Sequence, residues 1–499
     1  MPRRVMHTTG AAEEALRGAL RDLRAELGVP TGFPTAVLAE ADRTAAAPRL
    51  PDADATHLPL FTVDPLGSRD LDQAMHLARR EGGGYRVHYA IADVAAFVPP
   101  GGTVDSEAHR RVQTLYFPDG TVPLHPPALS EGAASLLPDR TVPALLWRID
   151  LDAEGRTSAV DVRRALVRSR AALDHATAQR RIDDGTAEEP LALLQDVGLL
   201  REALERERGG ISLSVPEQEI TATNDGGYAL AYRAPLPVEG WNAQISLLAN
   251  MAAADVMTQS GTGVLRTLPT APVGAVARLR LTARALRIDW PHHVSYADLV
   301  RSLDPHDPRD AAFLQECTTL LRGAGYHVFT GGRLPDPAVH AAVAHTYTHC
   351  TAPLRRLVDR YAGELCVAAC AGSGVPEWVL TALDDLPAEM AGGARRAAAV
   401  ERECVDLVEA AVLNGRVGEV FDGHVVDVRD DDPAIGTVQL RDPAVVARVT
   451  ADGAEAGADA EAVAGAGRAL PLGEPLRVRL TRADPAARPG TARVLFAVA

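Results

Sequence analysis

Phe61–Ala74, FTVDPLGSRDLDQA, is the stretch whose reading decides this chain. A short apolar run ending at Val63 leads into a loop carrying Pro65 and Gly67, and Asp64, Asp70 and Asp72 fall within nine residues. Carboxylates that close repel one another unless something positive brings them together. Hard oxygen ligands on a loop suit magnesium, which takes a few carboxylates plus water and substrate phosphate. The competing reading is a solvated acidic turn in which Arg69 pairs with a neighbouring aspartate.

Outward from this loop the texture is strand and turn. QAMHLARR (73–80), EGGG (81–84) and YRVHYAIADVAAFV (85–98) read as a hairpin with a glycine turn. ALLWRIDL (144–151) and TSAVDVRRALV (157–167) read as a second hairpin. After about Ala171 helical periods dominate, as in PLALLQDVGLLREALERER (190–208) and VEGWNAQISLLANMAAADVM (238–257). Strands first and helices after predict an α+β domain. Before it, Leu16, Leu20, Leu23 and Leu27 share one helical face, Gly28 is a stop signal, and Ala45 to Leu60 reads as a linker. After RRAAAVERECVDLVEAAVL (395–413), five short strands in about 85 residues predict an OB-like barrel. Within it, ADGAEAGADAEAVAGAG (451–467) reads as a mobile insertion.

A second stretch, YTHCTAPLRRLVDRY (347–361), places Thr351 as a helix cap and Pro353 in the first turn. Arg355 and Arg356 then lie near a helix N-terminus, where backbone N–H groups already favour an anion. Guanidinium binds phosphate oxygens in bidentate fashion, so a phosphate is the natural guest. The bland alternative pairs Arg355 with Asp359, a surface ion pair of roughly 0.3–0.5 kcal/mol at best.

Composition narrows the chemistry. The 499 residues contain no lysine, which removes Walker, Schiff-base and S-x-x-K chemistries together. A net charge of −15 argues against a protein that coats nucleic acid through its overall field, though not against a channel lined locally with arginine. Cys317, Cys350, Cys366, Cys370 and Cys404 form no C-x-x-C pair and are read as reduced core residues. No window is apolar enough to span a membrane, and MPRRVMHTTG has no apolar stretch behind its arginines, so a cytoplasmic protein is expected.

DPLGSRDLDQA, YRVHYAIADVAAFV, TLYFPDGTVPLHPPALSEGAASLLP (114–138), VRSRAAL (167–173) and YTHCTAPLRRLVDRY resemble, in order and spacing, the signature blocks of the RNase II / RNase R (RNB-domain) family. The resemblance covers about Leu60 to Ala371 and implies a processive 3′-to-5′ exoribonuclease that releases nucleoside 5′-monophosphates from single-stranded RNA. With the leucine periodicity giving an N-terminal helical segment and linker over 1–50, the resemblance implies an RNB catalytic domain over 51–413 and an RNA-binding OB-fold over 414–499. It further implies magnesium or manganese at Asp64, Asp70, Asp72 and Gln73, with Asp70, Asp72 and Arg355 in catalysis. Tyr116 would stack on the 3′-terminal base; Arg355, Arg356 and Asp93 complete the RNA-contacting set, Asp93 being read chiefly as a structural residue that bonds loop backbone. A monomer is expected.

The family's D-x5-D-x-D-D cluster ends here in Gln73, a weaker magnesium ligand than a carboxylate. About 60 residues precede the first block, too few for the two cold-shock barrels of better-known members. Gln73 motivates the alternative of a degenerate relative that binds RNA 3′ ends without hydrolysis; a phosphoesterase for short oligonucleotides is a third reading. His88, His125, His345 and His349 are read as structural rather than as general bases. The arginines of DVRRALVRSR (161–170) could track an RNA backbone, and Phe421 could be either core or stacking platform.

Overall fold

The computed structural model describes residues 12–499 except 214, 216, 223–227, 322, 430, 441 and 452–468. The insertion at 451–467 and the first ten residues therefore lie, Ala451 apart, outside the described residues. The two expected hairpins are present, and the structure closes them into one barrel. Its strands are Leu60–Asp64, Gln73–Arg79, Tyr85–Ala92, Thr141–Leu151 and Thr157–Asp174. Neighbours pair antiparallel, and the barrel closes where Leu60–Asp64 runs parallel to the last strand, with Asp64 opposite Asp174.

Strand alternation explains the closure. Leu60, Ala74, Ala90, Ala144, Leu146, Ala165 and Val167, drawn from all five strands, form one buried cluster. The four alanines among them suit a narrow five-stranded interior. The larger alternate residues, among them Met75, Tyr89 and Trp147, face outward into a second cluster shared with the helices Glu189–Glu207, Pro237–Ser260 and Leu357–Ala371. Two of these helices press together at Gly198, where an added Cβ would lie 2.5 Å from Trp241 Cβ.

The C-terminal strands Val420–Val428, Ile435–Leu440, Val446–Thr450, Pro475–Ala483 and Val494–Val498 close into a second barrel. Phe421 belongs to its core, packed edge-on against Phe496 at 5.9 Å, so the core alternative holds for that ring. The N-terminal helix spans Ala12–Glu26, and Gly28, at φ +62°, turns the chain away from it. Leu16, Leu20 and Leu23 pack with the long helix Leu386–Leu413 and the second barrel in one cluster. Cys317, Cys350, Cys366 and Cys404 are buried thiols and Cys370 is half-buried. Among the described residues no helix is long and apolar enough to cross a membrane.

Candidate active site

The loop from Asp64 to Gln73 leaves the first barrel strand and enters the second, and its path is fixed from one side by Ser135. The Ser135 hydroxyl donates to the Arg69 carbonyl (2.6 Å) and accepts from the Leu71 N–H (2.9 Å). Leu71 is thereby buried, Asp70 is half-buried, and Asp72 turns inward until only 3% of it is exposed.

Asp72 meets the second sequence block there. One carboxylate oxygen accepts the Leu354 N–H at 2.8 Å and the other forms an ion pair with Arg355 Nε at 2.8 Å. Burial pushes the Asp72 carboxyl up to about 7, with Arg355 pulling down and Asp70 adding to the rise. Arg355, not a surface contact with Asp359, is thus the counter-charge of the aspartate loop.

The second block folds differently from expectation. The helix begins at Leu357 rather than near Thr351, and Arg356, its flanking residue, is extended at φ −137°, ψ 130°. The reason is Asp359. Its buried carboxylate accepts the Ala352 N–H at 2.7 Å and grips Arg356 through two bonds of 2.8 and 2.7 Å. That holds Ala352–Arg355 as a turn, and the Thr114 N–H donates to the Arg355 carbonyl at 3.0 Å. The Arg–Asp pair foreseen for Arg355 is therefore made by Arg356, whose fork is already filled.

Asp64, Asp70, Asp72, Gln73, Tyr116 and Arg355 all line one cleft of ≈ 590 Å³. Tyr116 sits on the short hairpin Leu115–Phe117 and Gly120–Val122, at a junction with a second cavity of ≈ 300 Å³. Arg355 and Tyr116 line both cavities, and Arg356, Arg266 and His349 line the second. Asp93 sits elsewhere. It is buried against Arg164 Nε at 2.8 Å, and Arg164 also pairs with Glu364, so this aspartate braces the helix Leu357–Ala371 against the barrel. Of the arginines in 161–170, Arg164 is committed to that brace, while Arg163, Arg168 and Arg170 are exposed.

Among the described residues no three His, Cys, Asp or Glu side chains are grouped closely enough to hold an ion. Asp72 faces Arg355 and Leu354 instead of its fellow carboxylates, which is why the expected cluster is a shared cleft wall and not a closed cage. The donor chemistry nevertheless fits a hard cation. Every candidate ligand atom is oxygen, and Gln73 Oε1 is buried without a hydrogen-bond partner.

Asn242 and His175 are among the cleft residues that escaped the sequence reading. Asn242 donates through Nδ2 to the Val63 carbonyl at 3.0 Å and so anchors the strand end that carries Asp64. His175 also lines the cleft, its pKa pushed down by burial. Both lie more than 100 residues from the loop, and no local pattern marks them. The histidines singled out in the sequence are set among other side chains: His88 lies against His76, and His349 bonds the Tyr326 hydroxyl. Burial holds His125 down at about 4 and His349 well below the usual histidine value.

A barrel whose parallel seam supports an aspartate loop, an arginine turn packed against it and a second barrel downstream define a class that comparison with known proteins identifies. The RNB-domain profile matches residues 53–370, and that of the RNase II-type exonuclease C-terminal S1 domain matches 419–463. The chain belongs to the RNB-domain family, the RNase II / RNase R group. It is 26% identical to Ribonuclease R of Escherichia coli over 413 residues, covering 75% of this chain and 48% of that protein. To the exosome complex exonuclease RRP44 homolog A of Arabidopsis thaliana it is 28% identical over 330 residues, covering 63% of this chain and 35% of that protein. The chain thus spans between about a third and a half of these relatives' length. In fold it is similar to Mycoplasma genitalium RNase R in complex with ribose methylated single-stranded RNA, with a TM-score of 0.81, 19% identity and coverage of 97% of this chain and 78% of that one. It is also similar to yeast Ssd1, a pseudonuclease, with a TM-score of 0.61, 17% identity and coverage of 85% and 52%.

Proposed function

We propose that the protein is a metal-dependent, processive 3′-to-5′ exoribonuclease that hydrolyses single-stranded RNA to nucleoside 5′-monophosphates. It acts as a monomer in the cytoplasm. The observation that carries the reading is the Asp72–Arg355 ion pair on the wall of a cleft that also holds Asp64, Asp70, Gln73 and Tyr116. Family membership and the RNase R relatives support the reaction class.

In this reading Asp64, Asp70, Asp72 and Gln73 would hold magnesium or manganese, which would supply a polarised water and neutralise phosphate charge. The protein's own part is positioning. Arg355 turns its guanidinium from Asp72 to the scissile phosphate and stabilises the charge that develops there. Asp72, held by the Leu354 N–H, keeps its orientation while the arginine moves. Tyr116 stacks on the terminal base, and Asn242 fixes the strand end bearing Asp64. No protein nucleophile is needed. A second reading, binding of RNA 3′ ends without hydrolysis, is favoured by Gln73 alone.

A time course on a 5′-labelled unstructured RNA, with magnesium, manganese or chelator, tests both. Metal-dependent conversion to a short labelled limit product with few intermediates supports the exoribonuclease. Intact RNA that shifts on a native gel moves the weight to the binder, and Gln73→Asp would then be expected to create activity.

A further inference from the structure

The hairpin that carries Tyr116 is built from two strands of three residues each, Leu115–Phe117 and Gly120–Val122. So short a hairpin does not hold itself in place. Its base is tied to the catalytic turn through the Thr114 N–H and the Arg355 carbonyl at 3.0 Å. Its tip is tied to the N-terminal helix. Arg24 bonds both carboxylate oxygens of Asp119 in the hairpin turn, Nη1 to Oδ2 at 3.0 Å, and lays its guanidinium over the Phe117 ring, 4.1 Å from the centroid. The two side chains are 14% and 15% exposed although Asp119 as a residue lies at the surface, and the two-point geometry is what holds the pair together.

The same helix reaches the cleft itself. Arg17 stands seven residues before Arg24, two turns along the same face, and it lines the cleft together with Asp64, Asp72 and Arg355. Leu16, Leu20 and Leu23 on the buried face anchor the helix in the cluster that includes Leu115 and Phe117. Covering apolar surface accounts for the leucines but not for the Arg24–Asp119 pair at the hairpin tip.

We propose that the helix Ala12–Glu26 is a wall of the substrate cleft with two tasks. The Arg24–Asp119 clamp sets where Tyr116 stands relative to Arg355, and so how many nucleotides the closed site accommodates. Arg17 contacts a phosphate of the single-stranded RNA beside the one held by Arg355. The proposal rests on the exoribonuclease reading for its substrate class. Arg24 and Asp119 are positioning residues; Arg17 is a binding residue.

The test uses the full chain with Arg17→Ala, Arg24→Ala, Asp119→Ala and the exchanged pair Arg24→Asp with Asp119→Arg. Three quantities are read: affinity for a fluorescent single-stranded oligoribonucleotide in chelator, the length of the limit product with metal, and thermal unfolding. Arg17→Ala is expected to weaken binding about tenfold, the loss of one charge-assisted phosphate contact, with unfolding shifted by no more than an exposed contact contributes. Arg24→Ala and Asp119→Ala are each expected to lengthen and broaden the limit product, and the exchanged pair to bring it back towards wild type. If binding and product length are unchanged in Arg17→Ala and Arg24→Ala while the wild type is active, this proposal is overturned and the function stands. An exchanged pair that restores unfolding but not product length overturns the clamp. A wild type that binds but does not cut leaves the affinity arm to decide, and one that neither binds nor cuts overturns the functional reading and this proposal together.

Discussion

Asp72 and Arg355 cannot be altered one at a time without stranding the other. Asp72→Asn keeps an acceptor for the Leu354 N–H but turns a donor or a neutral oxygen towards Arg355. Hydrolysis is expected to fall at least about 100-fold, while RNA affinity in chelator stays within a few-fold of wild type, since the arginine is released for phosphate. Single-turnover cleavage and anisotropy on the same preparations check this, and full activity in Asp72→Asn would remove the residue from the mechanism. Arg355→Ala takes the counter-charge from the buried Asp72 carboxyl, which burial already pushes up to about 7 and which then favours its protonated form. A loss of roughly 2 kcal/mol in urea denaturation is expected, below the cost of breaking a fully buried pair because the arginine keeps part of its surface in solvent. A different residue governs behaviour in acid. Burial, helped by Arg360, holds His125 at about 4 against an ordinary value of 6.5. The unfolded chain therefore takes up the proton more readily than the folded one. Stability from this group is complete above pH 6.5 and is lost as the pH falls from there towards 4, at about 1.4 kcal/mol per unit of displacement. His88 and His340 are displaced in the same direction. Urea midpoints between pH 7.5 and 4.5 should fall in the wild type, and less steeply in His125→Gln; identical slopes would assign the acid sensitivity to other groups.

Among the elements, the packing of Glu189–Glu207 on Pro237–Ser260 controls the strand end at Asp64. A Cβ on Gly198 would lie 2.5 Å from Trp241 Cβ and 2.7 Å from its Cγ, and the next residue along that helix is Asn242, which holds Val63. Gly198→Ala gains about 1 kcal/mol of helix propensity but forces the two helices apart at a cost of roughly 1–3 kcal/mol. A lower melting temperature together with reduced turnover is expected, and a stabilised, fully active variant would show that the contact gives way freely. How much of this was legible in the sequence depended on the range of the interaction. Period-two alternation marked the barrel strands, and short strands between turns marked the second barrel, because both patterns are local. The closure of the first barrel was not legible, since Leu60–Asp64 pairs in parallel with a strand about 100 residues later. Asp64, Asp70, Asp72 and Arg355 could be picked out by their motifs. The exchange of partners between Arg355 and Arg356 could not, because it follows from a turn held by Asp359 and from a bridge between Gln113 and Arg356. Asn242, His175 and Arg17 reach the cleft through tertiary packing and leave no spacing to read.

For the molecule as a whole, the net charge of −15 sets the terms on which RNA would bind under the proposed function. The long-range field of the protein repels a polyanion, so little affinity comes from steering and most must come from arginines that touch phosphate. Several arginines are committed to carboxylates within the fold: Arg356 to Asp359, Arg164 to Asp93 and Glu364, and Arg24 to Asp119. Arg355, Arg17 and Arg266 also line the cavities and are the candidates for phosphate contact, in exchange for contacts they hold in the unliganded protein, Asp72 for Arg355 and the Tyr326 ring for Arg266. For single strands each phosphate neutralised contributes about −0.7 to the slope of log affinity against log salt, so three contacts predict a slope of about −2. Salt also screens the overall repulsion, which makes the slope shallower still, particularly in the association rate. Equilibrium binding of an oligoribonucleotide in chelator from low to high salt measures this directly. A slope near −2 that moves towards zero in Arg17→Ala fits a cleft that grips RNA through a few local arginines. A slope steeper than about −5 would instead require an extended basic track elsewhere on the protein, and would shift attention to the exposed Arg163, Arg168 and Arg170.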